Sequence, residues 1–521
     1  MEEKLLSRIN LNYKNIFYLS KIYRRLLIVG FFVFISINTI DAAQLMAGTS
    51  KVNITKNDVG RFVNDSLYAR VLILKNKSDD IVIISLDTRA IGEKGGVKAN
   101  FVERLRNRIE EQVGINATNV MVTATGVSGE QYICPDIEDR LLYAVRSAYQ
   151  KMVPVTIGVG TGIENRITEN RRLKLTNGKE WTIRNANPLP PDEEVAGAGP
   201  VDPEIGILRV DKKNGETLVV LYNFAIHPYQ GVPNKGITAD VPAFSSRIIE
   251  KNLPAGATAI FLQGCLGDIS TVLYKDTNSP RDAEPLGTML GISTLDALKK
   301  IKISKNNELK VIKEMIEVPS RTEIMTRITS LEEEQKKLLS FLRGTSLNFK
   351  TFLPLYIQYN TFKEFPSYYS HRYLHEKSIG RNDLEKLDNE NSRNIDKYLK
   401  NIYAMEKITR IQGNLTILKE QNERITTKIG ETINLEVQCL KIGDLVLVTF
   451  PGEPVAKIGL NIKESSPFTN TFVTAYSNGD VGYSPTAEQY KGRALEDTYC
   501  IMAPEWQNLF EQKVKNILGK L

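Results

Sequence analysis

The sequence has few of the residues that usually carry redox or metal chemistry. Its 521 residues include three histidines and four cysteines. No two cysteines are spaced as CxxC, so the motif of thiol oxidoreductases and of many zinc sites is absent. With so few histidines, each can be weighed separately.

The four cysteines leave their pairing open. An even number permits two disulfides if the chain is exported. Cys265 and Cys439, however, lie beside apolar strand-like runs. There a buried free thiol is the simpler interpretation.

The sequence also lacks a basic surface of the kind that binds nucleic acid. The formal net charge is +7, but six basic against three acidic residues in positions 1–43 account for +3 of it. The remaining +4 forms no basic cluster that stands out. Nucleic acid is therefore excluded as a partner.

No N-terminal run is long enough for an ordinary membrane span. The run Leu26–Ile35 holds ten mostly apolar residues, whereas a span needs roughly twenty. Arg24 and Arg25 precede it and Ala42-Ala43 follows, which is the order of an export signal with its cleavage site. We expect residues 1–43 to be a signal peptide rather than a retained anchor, and the protein to be secreted or periplasmic.

What the sequence does contain is an alternation of strand and helix patterns. With 42% hydrophobic and 25% charged residues, the composition is that of a globular protein with a sizeable core. The alternation predicts an α/β fold with mixed sheets flanked by helices. The apolar runs predicted as strands are Leu67–Leu74, Ile81–Leu86, Val120–Thr125, Val155–Val159, Leu218–Phe224, Ala259–Leu262, Leu435–Leu440, Leu445–Phe450 and Thr471–Tyr476. The predicted helices include Phe101–Val113, Ile137–Met152 and Glu505–Leu518.

Two segments interrupt this alternation. Residues 176–204 are rich in turn signals and predict a long surface or site-lining loop. Residues 320–430 have apolar positions at helical spacing, which predicts a helical insertion. The insertion is either a structural addition with a solvated outer face or a docking arm. Residues 44–521 would otherwise form one domain.

Polar side chains follow several of the predicted strands. His227 comes after one, Ser270 follows a glycine-rich turn after another, and Glu453 and Tyr483 follow two later strands. Because ligands of open α/β sheets bind beyond strand carboxyl ends, these residues are candidate site residues. Each alone is more often structural, but a converging set is a better case. His371 and His375 lie four apart in the insertion, and we interpret them as surface or packing residues rather than metal ligands.

In order along the chain, several segments resemble the neutral (non-lysosomal) ceramidase family. They are Gly48–Thr55, Ile84–Asp87, Gly199–Arg209, Asn223–Pro228, Gly267–Ser270, Pro451–Pro454 and Asn478–Thr486. The resemblance covers most of residues 44–521 except the insertion. It implies an exported hydrolase that cleaves an amide bond with water activated by zinc. It also implies that His227, Glu453 and Tyr483 match zinc ligands, and that Ser270 lies near the scissile amide.

Two positions depart from the family pattern. The family's first zinc histidine lies in a His-Thr-His-Ser-Gly-Pro stretch, but residues 123–130 here contain no histidine. A tyrosine that stabilises the oxyanion corresponds to Leu495. Catalytic zinc normally has three protein ligands, so the remaining three would formally suffice. Glu130 or an insertion histidine is a candidate replacement.

Three hypotheses follow. The first is a ceramidase-family hydrolase that cleaves an amide bond in a lipid-like substrate with an altered zinc site. The second is a metal-independent glycan-processing hydrolase or lyase that uses His227 and Tyr483 as acid and base. The third is a non-catalytic binding protein. A membrane surface is a further candidate partner, and the oligomeric state is not predicted.

Overall fold

The protein is represented by a computed structural model that describes residues 44–56, 58, 60–92, 95–97, 100–183, 190–272, 280–492 and 494–521. The expected signal peptide, residues 1–43, lies outside these residues. Within them, no helix combines the length and apolar character needed to cross a membrane.

The strands form two main sheets and three small ones. The larger sheet has the order β12-β11-β10-β5-β1-β2-β3-β4, with β14 also paired to β5, and the smaller main sheet has the order β15-β16-β17-β19. The strands are β1 Met46–Asn53, β2 Tyr68–Lys75, β3 Asp80–Leu86, β4 Val120–Ala124, β5 Val153–Ile163, β6 Thr168–Asn170, β7 Arg172–Leu175, β8 Glu180–Thr182, β9 Val195–Ala198, β10 Glu204–Lys212, β11 Thr217–Phe224, β12 Thr258–Gln263, β13 Ile269–Thr271, β14 Ile303–Ser304, β15 Leu309–Pro319, β16 Thr432–Ile442, β17 Leu445–Thr449, β18 Glu453–Pro454, β19 Asn470–Thr474 and β20 Tyr483–Ser484.

Helices cover the outer faces of both main sheets. The α-helices are α1 Phe101–Val113, α2 Ile137–Gln150, α3 Asp240–Lys251, α4 Glu284–Leu298, α5 Ile324–Phe341, α6 Phe349–Thr361, α7 Ser370–Ser378, α8 Asp383–Arg424, α9 Ala456–Ser465, α10 Gln489–Gly492 and α11 Trp506–Leu518. The predicted α/β fold with mixed sheets is therefore confirmed. Most predicted strands and helices are present within a few residues of their expected ends.

Alternating residues of the central strands enter different core layers. In β11, Val219 and Leu221 pack between the two sheets, whereas Val220, Tyr222 and Phe224 pack against α3 and α4. Because successive side chains of a strand point to opposite faces, a strand covered on both faces must be apolar throughout. This explains the continuous apolar runs in the sequence.

The two sheets approach closely at Gly206. A Cβ on this residue would lie 2.5 Å from ring atoms of Phe472, so a side chain there would separate the sheets. Residue 206 lies on the larger sheet and residue 472 on the smaller one. The smaller sheet is covered on its other face by α9 and α11, which makes a layered arrangement of helices, sheet, sheet and helices.

The segment predicted as a long loop over residues 176–204 is partly strand. In its described part, β8 and β9 both pair antiparallel with β7. Asn177-Gly178 turns the chain between β7 and β8, with Gly178 at φ 76°. This Asn-Gly pair is a hairpin signal present in the sequence, so the loop prediction was wrong there.

The predicted helical segment contains α5 to α8, which we call the arm. It leaves the smaller sheet after β15 and returns to it at β16, and these two strands pair along their length. Helices α5 and α8 pack through Ile324, Ile328, Ile411, Leu415 and Leu418. His371 and His375 are exposed on α7, which agrees with their interpretation as surface residues.

All four cysteines are buried and free. The free-thiol interpretation of Cys265 and Cys439 is confirmed, and Cys134 and Cys500 share that state. The thiols fill core volume in the layers on the outer faces of the two sheets.

Candidate active site

The carboxyl ends of strands from both sheets meet at one edge of the molecule. Ala475, just after β19, donates its backbone N–H to Gln263 at the end of β12. Asn478 donates its backbone N–H to Val122 in β4, across to the other sheet. The segments that follow these strands therefore converge, and they carry the polar residues singled out in the sequence.

Glu453 and Tyr483 are brought together directly. They are register partners in the short parallel pair β18–β20. Glu453 also shares a hydrogen bond with Tyr476. Burial and the nearby charge of Asp480 raise the pKa of Glu453, although Tyr476 and Arg171 oppose the shift. A raised carboxyl pKa favours the protonated form, which can donate a proton.

Ser270 lies on the other side of this edge. Strand β13 places it opposite Glu169 in β6, and its hydroxyl makes a short hydrogen bond with the hydroxyl of Tyr229. His227 packs edge-to-face on Tyr229, with ring centroids 4.7 Å apart. His227 and Ser270 are therefore joined through a tyrosine that the sequence analysis did not single out.

Two adjacent arginines sit among these groups. Arg171 is 8% exposed; its Nε lies 2.6 Å from a carboxylate oxygen of Glu496, and its Nη2 donates to the carbonyl of Gly267. Burial lowers the pKa of Arg171, but the adjacent carboxylate of Glu496, with a further contribution from Glu453, outweighs it and raises the pKa overall. Its guanidinium therefore stays positively charged beside the carboxyl groups of Glu496 and Glu453.

Arg172 holds the hydroxyl of Tyr483. Its Nη1 donates to that hydroxyl at 2.9 Å and to Asp497 at 2.7 Å, and it also pairs with Glu180. The Tyr483 hydroxyl in turn lies 3.3 Å from Glu496. Burial is the main cause that raises the pKa of Tyr483 well above its usual value. Tyr483 is therefore a neutral phenol with partners of its own.

The zinc ligands that the resemblance implies are His227, Glu453 and Tyr483. Among the described residues, no three His, Cys, Asp or Glu side chains are grouped so that they could hold a metal ion. Tyr483 is a hydrogen-bonded phenol, Glu453 is bonded to Tyr476, and Glu130 accepts from its own loop at Gly129. Two of the three donors that the resemblance matches to zinc ligands, Glu453 and Tyr483, therefore have hydrogen-bond partners within the chain.

Gly126 lies in the segment that lacks the family histidine. Its φ is 86°, and a Cβ there would lie 3.2 Å from the Tyr476 ring and 3.5 Å from Pro228. At Gly126 the backbone thus passes, without a side chain, between Pro228, which follows His227, and Tyr476, which shares a hydrogen bond with Glu453. Residues with a Cβ rarely adopt this conformation, so the backbone at position 126 favours glycine.

A cavity of about 470 Å³ opens beside Tyr229. It is lined in part by Ser128 and Tyr132 and by the basic residues Arg61, Lys235 and Arg281. Through Tyr229 it adjoins the contacts of His227 and Ser270. It offers a route from solvent to the strand ends.

Sequence reasoning missed Arg171, Arg172, Tyr229, Tyr476, Glu496 and Asp497. Arg171 and Arg172 follow a short strand of only three residues, too short to recognise from a pattern. The buried charges Glu496 and Asp497 lie in the 3-10 helix Leu495–Tyr499, where nothing in the sequence distinguishes them from surface acids. Only their burial and pairing identify them.

The fold is a mixed α/β fold of the ceramidase type. The chain is similar to the solved structure of neutral ceramidase from Pseudomonas aeruginosa, with a TM-score of 0.57 and 15% identity over 91% of this chain and 74% of that one. It is also similar to a structure of ceramidase complexed with C2, with a TM-score of 0.56, 15% identity, and 91% and 75% coverage. At this identity the likeness shows the fold.

No family model matches the sequence. No curated protein matches it significantly either. The structural likeness therefore stands without support from sequence comparison.

Proposed function

We propose that the chain is a hydrolase of the ceramidase type that cleaves an amide bond in a lipid-like substrate. The observation that supports this most is the connected set of polar groups at strand carboxyl ends, within a fold shared with neutral ceramidases. Arg171 pairs with Glu496, which lies 3.3 Å from the Tyr483 hydroxyl, and His227 packs on Tyr229. Buried charged groups are costly to fold, so such a cluster beside a cavity is typical of an active site.

In this proposal His227 accepts a proton from water, and the water oxygen bonds to the substrate carbonyl carbon. Arg171, a buried guanidinium whose charge acts on Glu453, stabilises the negative charge that forms on the carbonyl oxygen. When the carbon–nitrogen bond breaks, Glu453 in its protonated form gives a proton to the leaving nitrogen. The proton on His227 then returns through solvent to Glu453, and no proton is gained or lost by the protein.

Tyr483 and Ser270 act as positioning residues in this scheme. The Tyr483 hydroxyl is held by Arg172, and the Ser270 hydroxyl holds Tyr229 against His227. The cavity beside Tyr229 admits the substrate. Export from the cell would place the enzyme where extracellular or periplasmic lipids are accessible.

The experiment is a substrate panel of fatty-acid amides, ceramides and glycans, incubated in heavy-oxygen water with the protein and with its His227→Ala variant. We expect a fatty acid that carries one heavy oxygen together with the matching amine, formed by the wild type only. Glycan cleavage without amide cleavage would overturn the proposal in favour of a metal-independent glycan enzyme. Tight binding of a panel member without turnover would overturn it in favour of a binding protein.

A further inference from the structure

The outer end of the arm exposes many large apolar side chains. We call residues 341–381 the tip. Of the 22 large hydrophobic side chains that are exposed among the described residues, ten lie in these 41 positions. They are Phe341, Phe349, Leu353, Tyr356, Ile357, Phe362, Tyr368, Tyr369, Leu374 and Ile379. Single exposed hydrophobics are ordinary, but such a concentration marks a contact surface.

Helix α6 turns an apolar stripe outward. Phe349, Leu353, Tyr356 and Ile357 are exposed at positions i, i+4, i+7 and i+8, which share one face of a helix. The adjoining face is anchored to the arm, because Phe352 is buried and stacks on Tyr398 of α8 with centroids 4.6 Å apart, and on Tyr356 of the stripe. Helix α6 therefore packs on the arm with one face and leaves a second apolar face exposed.

The tip is also basic. It contains six Lys or Arg residues and two Glu residues, a net charge of +4. This equals the net charge of the whole chain after residue 43. The basic residues are interspersed with apolar ones rather than consecutive, which is why the sequence analysis found no cluster. Lys350, Lys363 and Lys377 are exposed, and Lys350 and Lys363 each follow an exposed phenylalanine in the sequence. Lys363 and Lys377 also line a cavity of about 930 Å³ that the tip forms with α8.

The base of the arm contacts the candidate active site. The guanidinium of Arg410 in α8 lies 4.5 Å from the ring centroid of Trp181, in the β8 strand beside Arg172. Helix α8 also packs on the 3-10 helix that carries Glu496 and Asp497. From residue 410 to residue 383, α8 extends about 40 Å away from this contact at about 1.5 Å per residue. The arm thus joins the site to a distant surface.

We propose that the tip docks on an anionic lipid surface and holds the site above it. Exposed aromatic and aliphatic side chains enter the headgroup boundary, where Tyr is favoured, and lysines beside them pair with anionic headgroups. The combination distinguishes this surface from an ordinary protein contact, which is depleted in lysine. The proposal does not depend on the chemistry of the site and holds whether or not the amide hydrolysis is correct.

The test measures binding to phosphatidylcholine vesicles with and without phosphatidylglycerol, by sedimentation. For this test the protein is expressed without residues 1–43, so that the N-terminal apolar run cannot contribute to binding. We expect binding that needs phosphatidylglycerol and weakens in high salt. A Lys350→Glu, Lys363→Glu, Lys377→Glu variant should lose about 100-fold or more in affinity, since each basic residue near the surface contributes about fivefold.

A second variant tests the apolar contribution. Phe349→Ser, Phe362→Ser and Tyr369→Ser together should reduce vesicle binding at least about tenfold. The matched control changes Tyr143, Ile163 and Ile303 to Ser, which are exposed outside the arm, and should bind as the wild type does. Equal binding by the tip and control variants would overturn the proposal. So would a tip-dependent dimer that binds no vesicles, because it would assign the surface to a second copy of the chain.

Discussion

Arg172 donates a hydrogen bond from Nη1 to the hydroxyl of Tyr483 at 2.9 Å. The residue that the resemblance matched to a zinc ligand is therefore held by the chain itself. The same guanidinium neutralises Asp497 and Glu180. Arg172 therefore supplies the positive charge that stabilises these two carboxylates.

The first prediction concerns this arginine. Arg172→Ala leaves the carboxylate of Asp497 buried without its partner, so the free energy of unfolding should fall by about 3–5 kcal/mol in urea denaturation. Arg381→Ala removes an exposed pair with Asp383 and should cost at most about 1 kcal/mol. Similar losses in the two variants would show that the buried pairing contributes little.

Sequence reasoning recovered the fold better than the site, for a physical reason. Strands such as β3 and β11 are apolar on both faces because both faces of each strand are covered. A continuous run of apolar residues therefore identifies them in the sequence. His227, Glu453, Tyr483 and Ser270 were predicted as site residues because each follows such a strand, and that assignment stays a prediction. Arg171 and Glu496 follow no long strand, so only the folded chain brings them together.

The second prediction concerns Asp240, whose backbone lies in the left-handed region at φ 52° and whose carboxylate accepts from Gly231 and Val241. Burial raises its pKa from 3.8 to about 6. Because the folded state prefers the neutral carboxyl, the resulting stability is present below the unfolded pKa and is lost as the pH rises through about 6.

Asp240→Asn removes this titration, and Asn tolerates the left-handed backbone. Between about pH 4 and about pH 7, the free energy of unfolding of the wild type should fall by up to about 3 kcal/mol relative to the variant. Urea denaturation at several pH values measures the difference. Parallel curves for the two proteins would contradict the assigned shift.

The third prediction concerns the thiols. Burial raises the pKa of Cys134 and Cys500 to about 11 and that of Cys439 to about 12, and it raises that of Cys265 still further. Since the thiolate is the reactive form, a thiol reagent near neutral pH should label none of the four in the folded protein. All four should react after unfolding without reductant. Fewer than four would reveal a disulfide.

The fourth prediction concerns zinc. Because Tyr483 and Glu453 are hydrogen-bonded to Arg172 and Tyr476, we expect protein purified with zinc in the buffer and then dialysed to retain much less than one zinc per chain. Elemental analysis of the wild type and of Tyr483→Phe should give the same low value. One zinc per chain that disappears in His227→Ala would show that the family ligands do assemble.

The most direct test of the proposed chemistry compares kcat/KM for the amide substrate identified in the panel. His227→Ala should lower it by about 100- to 10,000-fold, the usual contribution of a general base. The control is Tyr143→Ala, which alters an exposed ring on α2, outside the arm, and should leave kcat/KM unchanged. Circular dichroism and urea denaturation of both variants confirm that they remain folded. If His227→Ala retains activity within twofold of the wild type, His227 is not the base and the proposed site is wrong.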